Sequence, residues 1–264
     1  MIARAGGLHV GYDDVGGGTP VLFLHGFPHD RTLWAPQTSA LVGQARCIAP
    51  DLRGFGETDA APPYSMDQYA DDAVALLDTL EVDQAVVAGI SMGGYIAFAL
   101  WRRHPARVQA LVLADTRAGA DSEEARGRRR ALIALARAEG AAAVADAQID
   151  GMVGKTTRAQ RPEVRQAAHA MLSAAPVEGI VGALEAMLAR PDSAPTLTTI
   201  SVPTLVVVGD EDVLTPVKEA RAMHEAIAGS RLEVLAGAGH LSNFERPAAF
   251  NHAMHDFLAT MGER

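Results

Sequence analysis

The stretch "GISMGG", residues 89–94, sets Ser91 in G-x-S-x-G spacing between the apolar run "QAVVA" and the helix-like run "YIAFALWRRHP". A serine hydroxyl is a poor nucleophile at neutral pH. It needs a neighbouring base, and the base needs an acid to orient it. Both occur further along the chain, in the order serine, acid, histidine. Asp210, Glu211 and Asp212 fall in "VVVGDEDVLTP", at the end of an apolar run. His240 falls in "LAGAGHLSNFERP", with glycine beside it at the end of another. Acyl transfer also requires N–H donors for an oxyanion. The Met92 amide, next to the serine, is one candidate, and the Phe27 amide in "FLHGFPHD" is its candidate partner.

Other residues invite chemistry and are set aside. His25 reads as a buried imidazole bracing its turn. His252 and His255 share a helix with Asp256 but follow no ligand motif, so they read as a solvated face. His104, before Pro105, suits a helix C-terminus. "GRRR" beside "SEE" also reads as a solvated helix face. "GMVGKTTR" ends like a phosphate-binding loop, but that motif needs glycine five residues before Gly154, where Ile149 stands.

The elements that must position these residues are legible as alternation. "VLFLHG", "ARCIAP", "QAVVAGIS", "VQALVLAD", "PTLVVVGD" and "RLEVLAG" are short apolar runs ending in turns, as buried strands do. "LHVGYDD" followed by "VGGGTP" reads as the first arm of an opening hairpin. "SMDQYADDAVALLDTLEV" has helical spacing, with Ser65 as N-cap and Gln68 three residues on. The pattern predicts an α/β fold: a mainly parallel, doubly wound sheet with helices on both faces. Residues 117–196 carry helical spacing and no strong strand signal. They predict a helical cap inserted into a core of residues 1–116 and 197–264. In such sheets ligands bind outside the strand carboxyl ends, so Ser91, the acid loop and His240 converge where a cap would cover them. Phe27, Trp34, Met152, Met171 and Leu241 are candidates to line an apolar pocket there.

Composition bounds the partners. The chain has 264 residues, 48% hydrophobic and 21% charged, with a formal net charge of −9. That acidity argues against nucleic acid or an anionic membrane surface as a partner. The single cysteine, Cys47, reads as a small core residue, and a reducing cytoplasm fits it. The first residues lack a long apolar stretch, predicting no signal peptide. No uncharged apolar run reaches the ~18 residues of a membrane span. Oligomeric state is not readable.

Taken together, these stretches resemble the α/β-hydrolase superfamily over nearly the whole chain. "HGF" resembles the oxyanion-strand turn. "DLRGFGET", residues 51–58, resembles the D-x-R-G-x-G-x-S/T turn of its esterase and lactonase branch, with Thr58 in the serine place. "GISMGG" resembles the nucleophile elbow, and "GDEDVLTP" and "GAGHLSNFERP" the acid and histidine loops. The resemblance implies Ser91 as nucleophile, His240 as base, Asp212 as orienting acid, and the Phe27 and Met92 amides as the oxyanion hole. Some branches place the acid one strand earlier, where this chain has Asp115. A serine nucleophile argues against the dehalogenases and epoxide hydrolases of this fold, which use aspartate. The implied activity is hydrolysis of a small ester or lactone through an acyl-enzyme, with no metal or cofactor. "HGFPHD" differs from the oxyanion loop of enol-lactonases. A C–C bond hydrolase, a cofactor-free perhydrolase or a non-turnover ligand sensor would share the same motifs.

Overall fold

The computed structural model describes residues 1–261. Its strands are β1 (Ile2–Ala5), β2 (Leu8–Gly16), β3 (Thr19–Leu24), β4 (Ala45–Pro50), β5 (Ala85–Ile90), β6 (Val108–Ala114), β7 (Thr204–Gly209) and β8 (Arg231–Leu235). They form one sheet in the order β1-β2-β4-β3-β5-β6-β7-β8. From β4 to β8 every pairing is parallel, while β1 and β2 join antiparallel at one edge.

The central strands are apolar throughout because both sheet faces are covered. Successive side chains point to opposite faces. Leu22, Leu24, Val87, Leu111 and Val206 enter one core, and Val21, Phe23, Val86, Val112 and Val207 the other. The first core is closed by α2 (Met66–Thr79), α3 (Met92–Arg103) and α10 (Val217–Ala226). The second is closed by α1 (Ala35–Leu41) and α12 (Pro247–Ala259). Ser65 caps α2, its hydroxyl accepting the Gln68 N–H at 3.0 Å. Cys47 is fully buried, and burial pushes its thiol up to about 11.

The opening departs from the sequence expectation. The hairpin lies one strand earlier: β1 and β2 turn through Gly6 and Gly7, both with positive φ, as a two-residue hairpin loop requires. β2 and β3 do not pair, because β4 lies between them. The glycine-rich segment before β3 is a crossing connection, and its composition is the same for either role.

Between β6 and β7 the chain runs through α4 (Glu123–Glu139), α5 (Ala141–Met152), α6 (Lys155–Gln160), α7 (Pro162–Ala174), α8 (Val177–Ala189) and α9 (Ala194–Leu197). The remaining short helix, α11 (Ser242–Glu245), follows the His240 loop. Among the described residues no single helix is long and apolar enough to cross a membrane.

Candidate active site

Ser91 sits between β5 and α3 with φ 52° and ψ −112°. A non-glycine residue at positive φ is strained, and such strain collects at functional sites. The neighbouring glycines hold it there. A methyl added at Gly89 would lie 2.2 Å from the Gly93 carbonyl oxygen, and one at Gly93 would lie 2.1 Å from that of Leu24. Strand and helix therefore approach closely only with both glycines. The Ser91 N–H donates to Ala114 O at 2.9 Å, and Thr116 Oγ1 donates to Ser91 O at 2.8 Å, pinning the bend from the next strand.

His240 Nε2 lies 2.8 Å from Ser91 Oγ, and His240 Nδ1 lies 2.8 Å from Asp212 Oδ2. The carboxylate requires the proton on Nδ1, which leaves Nε2 free to accept from the serine. Asp212 is itself fixed: Oδ1 accepts the Leu214 and Thr215 N–H groups at 2.8 and 2.9 Å, and Oδ2 accepts the Thr215 hydroxyl at 2.7 Å. Burial pushes the His240 imidazole down. The charge and hydrogen bond of Asp212, with Asp115 and Glu245, outweigh this and hold it above its ordinary value. Burial pushes Asp212 up, but His240 and the Thr215 bonds hold it below the usual carboxylate range.

The other acids near the loop have different tasks. Asp210 Oδ1 accepts the Gly237 N–H at 2.7 Å. Glu211 accepts the N–H and hydroxyl of Thr156 at 2.8 and 2.6 Å. Asp115 is fully buried with φ 41°, and accepts from Gly209 N at 2.9 Å and from the backbone and hydroxyl of Ser242. Burial and the Asp212 charge push its carboxyl well above the usual range. Glu245, also buried, accepts the N–H groups of Gly154, Gly239 and Leu241, and His240 N donates to Met152 O at 2.9 Å. The histidine loop is thus bonded to the helical insertion. Glu211 and Glu245 occupy the start of α6, where "GKT" resembled a phosphate loop; the chain's own carboxylates fill that end.

The turn after β3 is braced from the "DLRGFGET" segment. Leu52 N donates to His25 Nε2 at 2.9 Å, so the proton is on Nδ1, which donates to Gly26 O at 2.9 Å. Burial holds this imidazole below its ordinary value, as a neutral strut. Asp51 accepts the Arg31 and Glu57 N–H groups at 2.8 Å each, and Thr58 Oγ1 donates to Asp51 O at 2.7 Å. Gly56 is required there, since a methyl would meet the Asp51 carboxylate at 2.1 Å. His29, in the same turn, is buried, and burial together with the nearby His25 lowers it to about 3. Met92 is the first residue of α3, so its N–H has no intrahelical acceptor.

A cavity of about 180 Å³ opens onto Ser91 and His240. Phe27, Tyr95 and Thr215 line it beside them, and Met152 and Met187 come from the inserted helices. Three of the expected lining residues lie elsewhere. Trp34 is packed between Phe23 and Phe250, and Leu241 belongs to the same buried core. Met171 packs on that core, its sulfur accepting from Thr32 Oγ1 at 3.3 Å. "GRRR" is a solvated face at Gly127, Arg128 and Arg130, as its composition suggests, but it also borders the cavity, which Arg128 and the half-buried Arg129 line with Arg117. Their spacing from Ala125 and Leu132, which line it too, is the i, i+3, i+4, i+7 pattern of one helix face.

A family profile described as alpha/beta hydrolase fold matches residues 19–247. This chain belongs to that family. It is 33% identical to 3-oxoadipate enol-lactonase 2 of Acinetobacter baylyi over 235 residues, which cover 89% of this chain and 86% of the relative. A thermophilic esterase from Thermogutta terrifontis superposes with a TM-score of 0.95 at 38% identity, covering 99% of this chain and 98% of that one. The enol-lactonase from Burkholderia xenovorans gives 0.91 at 32% identity, covering 98% and 100%. The chain therefore lies in the esterase and enol-lactonase branch of the α/β-hydrolases.

Proposed function

We propose that the protein is a serine hydrolase that cleaves the ester or lactone bond of a small substrate. The observation that carries this reading is the continuous line Asp212–His240–Ser91, with 2.8 Å at each hydrogen bond and the serine open to a cavity. Membership of a branch holding esterases and enol-lactonases supports it.

The steps follow from the hydrogen bonds. Ser91 Oγ attacks the carbonyl carbon while His240 Nε2 takes its proton. The oxyanion accepts from the Phe27 and Met92 amides, with the N-terminus of α3 adding its positive dipole end. The imidazolium then protonates the leaving alcohol, leaving an ester on Ser91. Water, deprotonated by His240, attacks that ester and restores the serine. The inserted helices act as a cap that limits the space above the serine to a small substrate.

The test compares wild type with Ser91→Ala on short-chain p-nitrophenyl esters. Loss of about 10⁴-fold or more in kcat, with wild type alone labelled by a fluorophosphonate, supports the assignment. Equal rates in the two proteins overturn it.

A further inference from the structure

We propose that Glu245 is a positioning residue for His240, holding the backbone on both sides of the histidine and setting a second buried carboxylate within electrostatic reach of the imidazolium; this rests on the reading of the site as a serine hydrolase.

His240 belongs to no strand or helix. β8 ends at Leu235 and α11 begins at Ser242, so no ladder fixes the backbone that carries the imidazole. Buried N–H groups there still need acceptors. Gly239 N and Leu241 N donate to Glu245 Oε1 at 2.8 and 3.3 Å, and between them His240 N donates to Met152 O at 2.9 Å. Glu245 Oε2 accepts from Gly154 N at 2.8 Å, at the N-cap of α6. The two backbones meet beside it: a methyl added at Gly239 would lie 2.3 Å from Gly154 N. One side chain therefore sets the histidine loop against the inserted helices, and with it the reach of His240 Nε2 to Ser91.

The chemistry of the group fits a carboxylate. Glu245 is fully buried. An acceptor-only side chain meets every one of these N–H donors, whereas a glutamine would turn its NH2 group on at least one. A buried carboxylate is nevertheless costly without a cation. Among the described residues no lysine or arginine bonds to that of Glu245; Arg161 Nη1 donates to its backbone oxygen instead. The cation within reach is His240, which becomes charged each time it takes the serine proton.

The charge of Glu245 is one of the causes that hold the His240 imidazole above its ordinary value. Burial pushes the Glu245 carboxyl itself above the usual range, against its amide donors. The other titratable groups facing the imidazole are Asp212 in the acid loop, Asp115 after β6 and His29 in the turn after β3. Ionisation of Asp115 is strongly opposed by burial and by Asp212, and His29 is lowered to about 3. Glu211, on the far side of Gly154, is occupied by Thr156.

The test uses the full chain, 4-nitrophenyl acetate and two variants whose folding is checked by circular dichroism. Glu245→Gln keeps the size and removes the charge and one acceptor. Its kcat is expected to fall about tenfold or more, with KM nearly unchanged. Losing a negative charge weakens the hold of the imidazole on its proton, so the acid limb of kcat/KM should move down by about half a pH unit or more. Glu245→Asp keeps the charge and shortens the reach. Its kcat should fall about tenfold while the limb stays at the wild-type position, and it decides alone if Glu245→Gln does not fold. Wild-type kcat or an unmoved limb in folded Glu245→Gln overturns the proposal and leaves the hydrolase reading intact. So does wild-type kcat in Glu245→Asp. Turnover unchanged in Ser91→Ala overturns the hydrolase reading, and the role given to Glu245 falls with it. Should no ester be turned over, NMR titration of His240 in wild type and Glu245→Gln decides: a lower pKa in the variant supports the assignment, and equal values sink it.

Discussion

In the proposed mechanism His240 is the base, and its affinity for its proton is raised by buried carboxylates, chiefly Asp212. A base must be neutral to act, so the raised pKa has a definite sign. kcat/KM for a neutral ester should fall as pH drops through a value above the ordinary 6.5 of histidine. Asp212→Asn removes the main upward cause and the acceptor that keeps the proton on Nδ1. The acid limb should then move to lower pH, and kcat should fall by about 10⁴-fold. Asp115→Asn should cost far less, because Asp115 bonds to Gly209 and Ser242 rather than to the imidazole. Parallel pH–rate profiles of the three proteins check this, and an unmoved limb in Asp212→Asn would refute it. At this scale the sequence was informative about types and less so about partners. Ser91 and His240 stand out by their glycine-flanked strand ends. Among Asp210, Glu211 and Asp212 the choice rests on where each side chain points, and their partners are Gly237, Thr156 and His240. The cavity arginines were overlooked because a charge run usually faces water, although their register with Ala125 and Leu132 was available to be read.

The elements around the serine owe their geometry to contacts too tight for any side chain. Gly93→Ala puts a methyl 2.1 Å from the Leu24 carbonyl, in backbone that cannot yield easily. It should destabilise by at least about 1–3 kcal/mol and remove labelling of Ser91. Gly127→Ala is the opposite case. Gly127 is exposed in the middle of α4, and an added methyl meets nothing within 4 Å. It should stabilise by about 0.5–1 kcal/mol through helix propensity. Urea denaturation of both variants checks the pair, and the same sign in both would show that glycine content rather than close approach governs. Strands and helices of this kind are legible because burial on one or two faces imposes a period. Pairing is not: nothing in "VGGGTP" distinguishes a tight hairpin from a crossing, and so β4 entered between β2 and β3 unannounced.

At the scale of the whole molecule, the inserted helices are woven into the same cores as the sheet. Ile133, Val144, Ile180 and Leu184 share a cluster with Leu22 and Val87, while Ile149, Met152 and Leu172 share the other with Phe23 and Val112. Polar bonds repeat the pattern, through Glu245 to Gly154 and His240 to Met152. A block so attached has no separate interior whose loss could precede that of the sheet. Unfolding should therefore be a single cooperative transition, with calorimetric and van't Hoff enthalpies in agreement. The sharpest probe is Gly179 in α8, where an added methyl would stand 1.9 Å from the Gly54 carbonyl oxygen in the turn that braces His25. Gly179→Ala must part the two backbones. It should lower stability by at least about 1–3 kcal/mol while the transition stays single, and it should weaken turnover by disturbing the cavity wall and the brace together. A calorimetric trace that splits, with one part melting early and the other unshifted, would mean that the helices fold as a unit of their own, and the integration argued from the shared cores would fall.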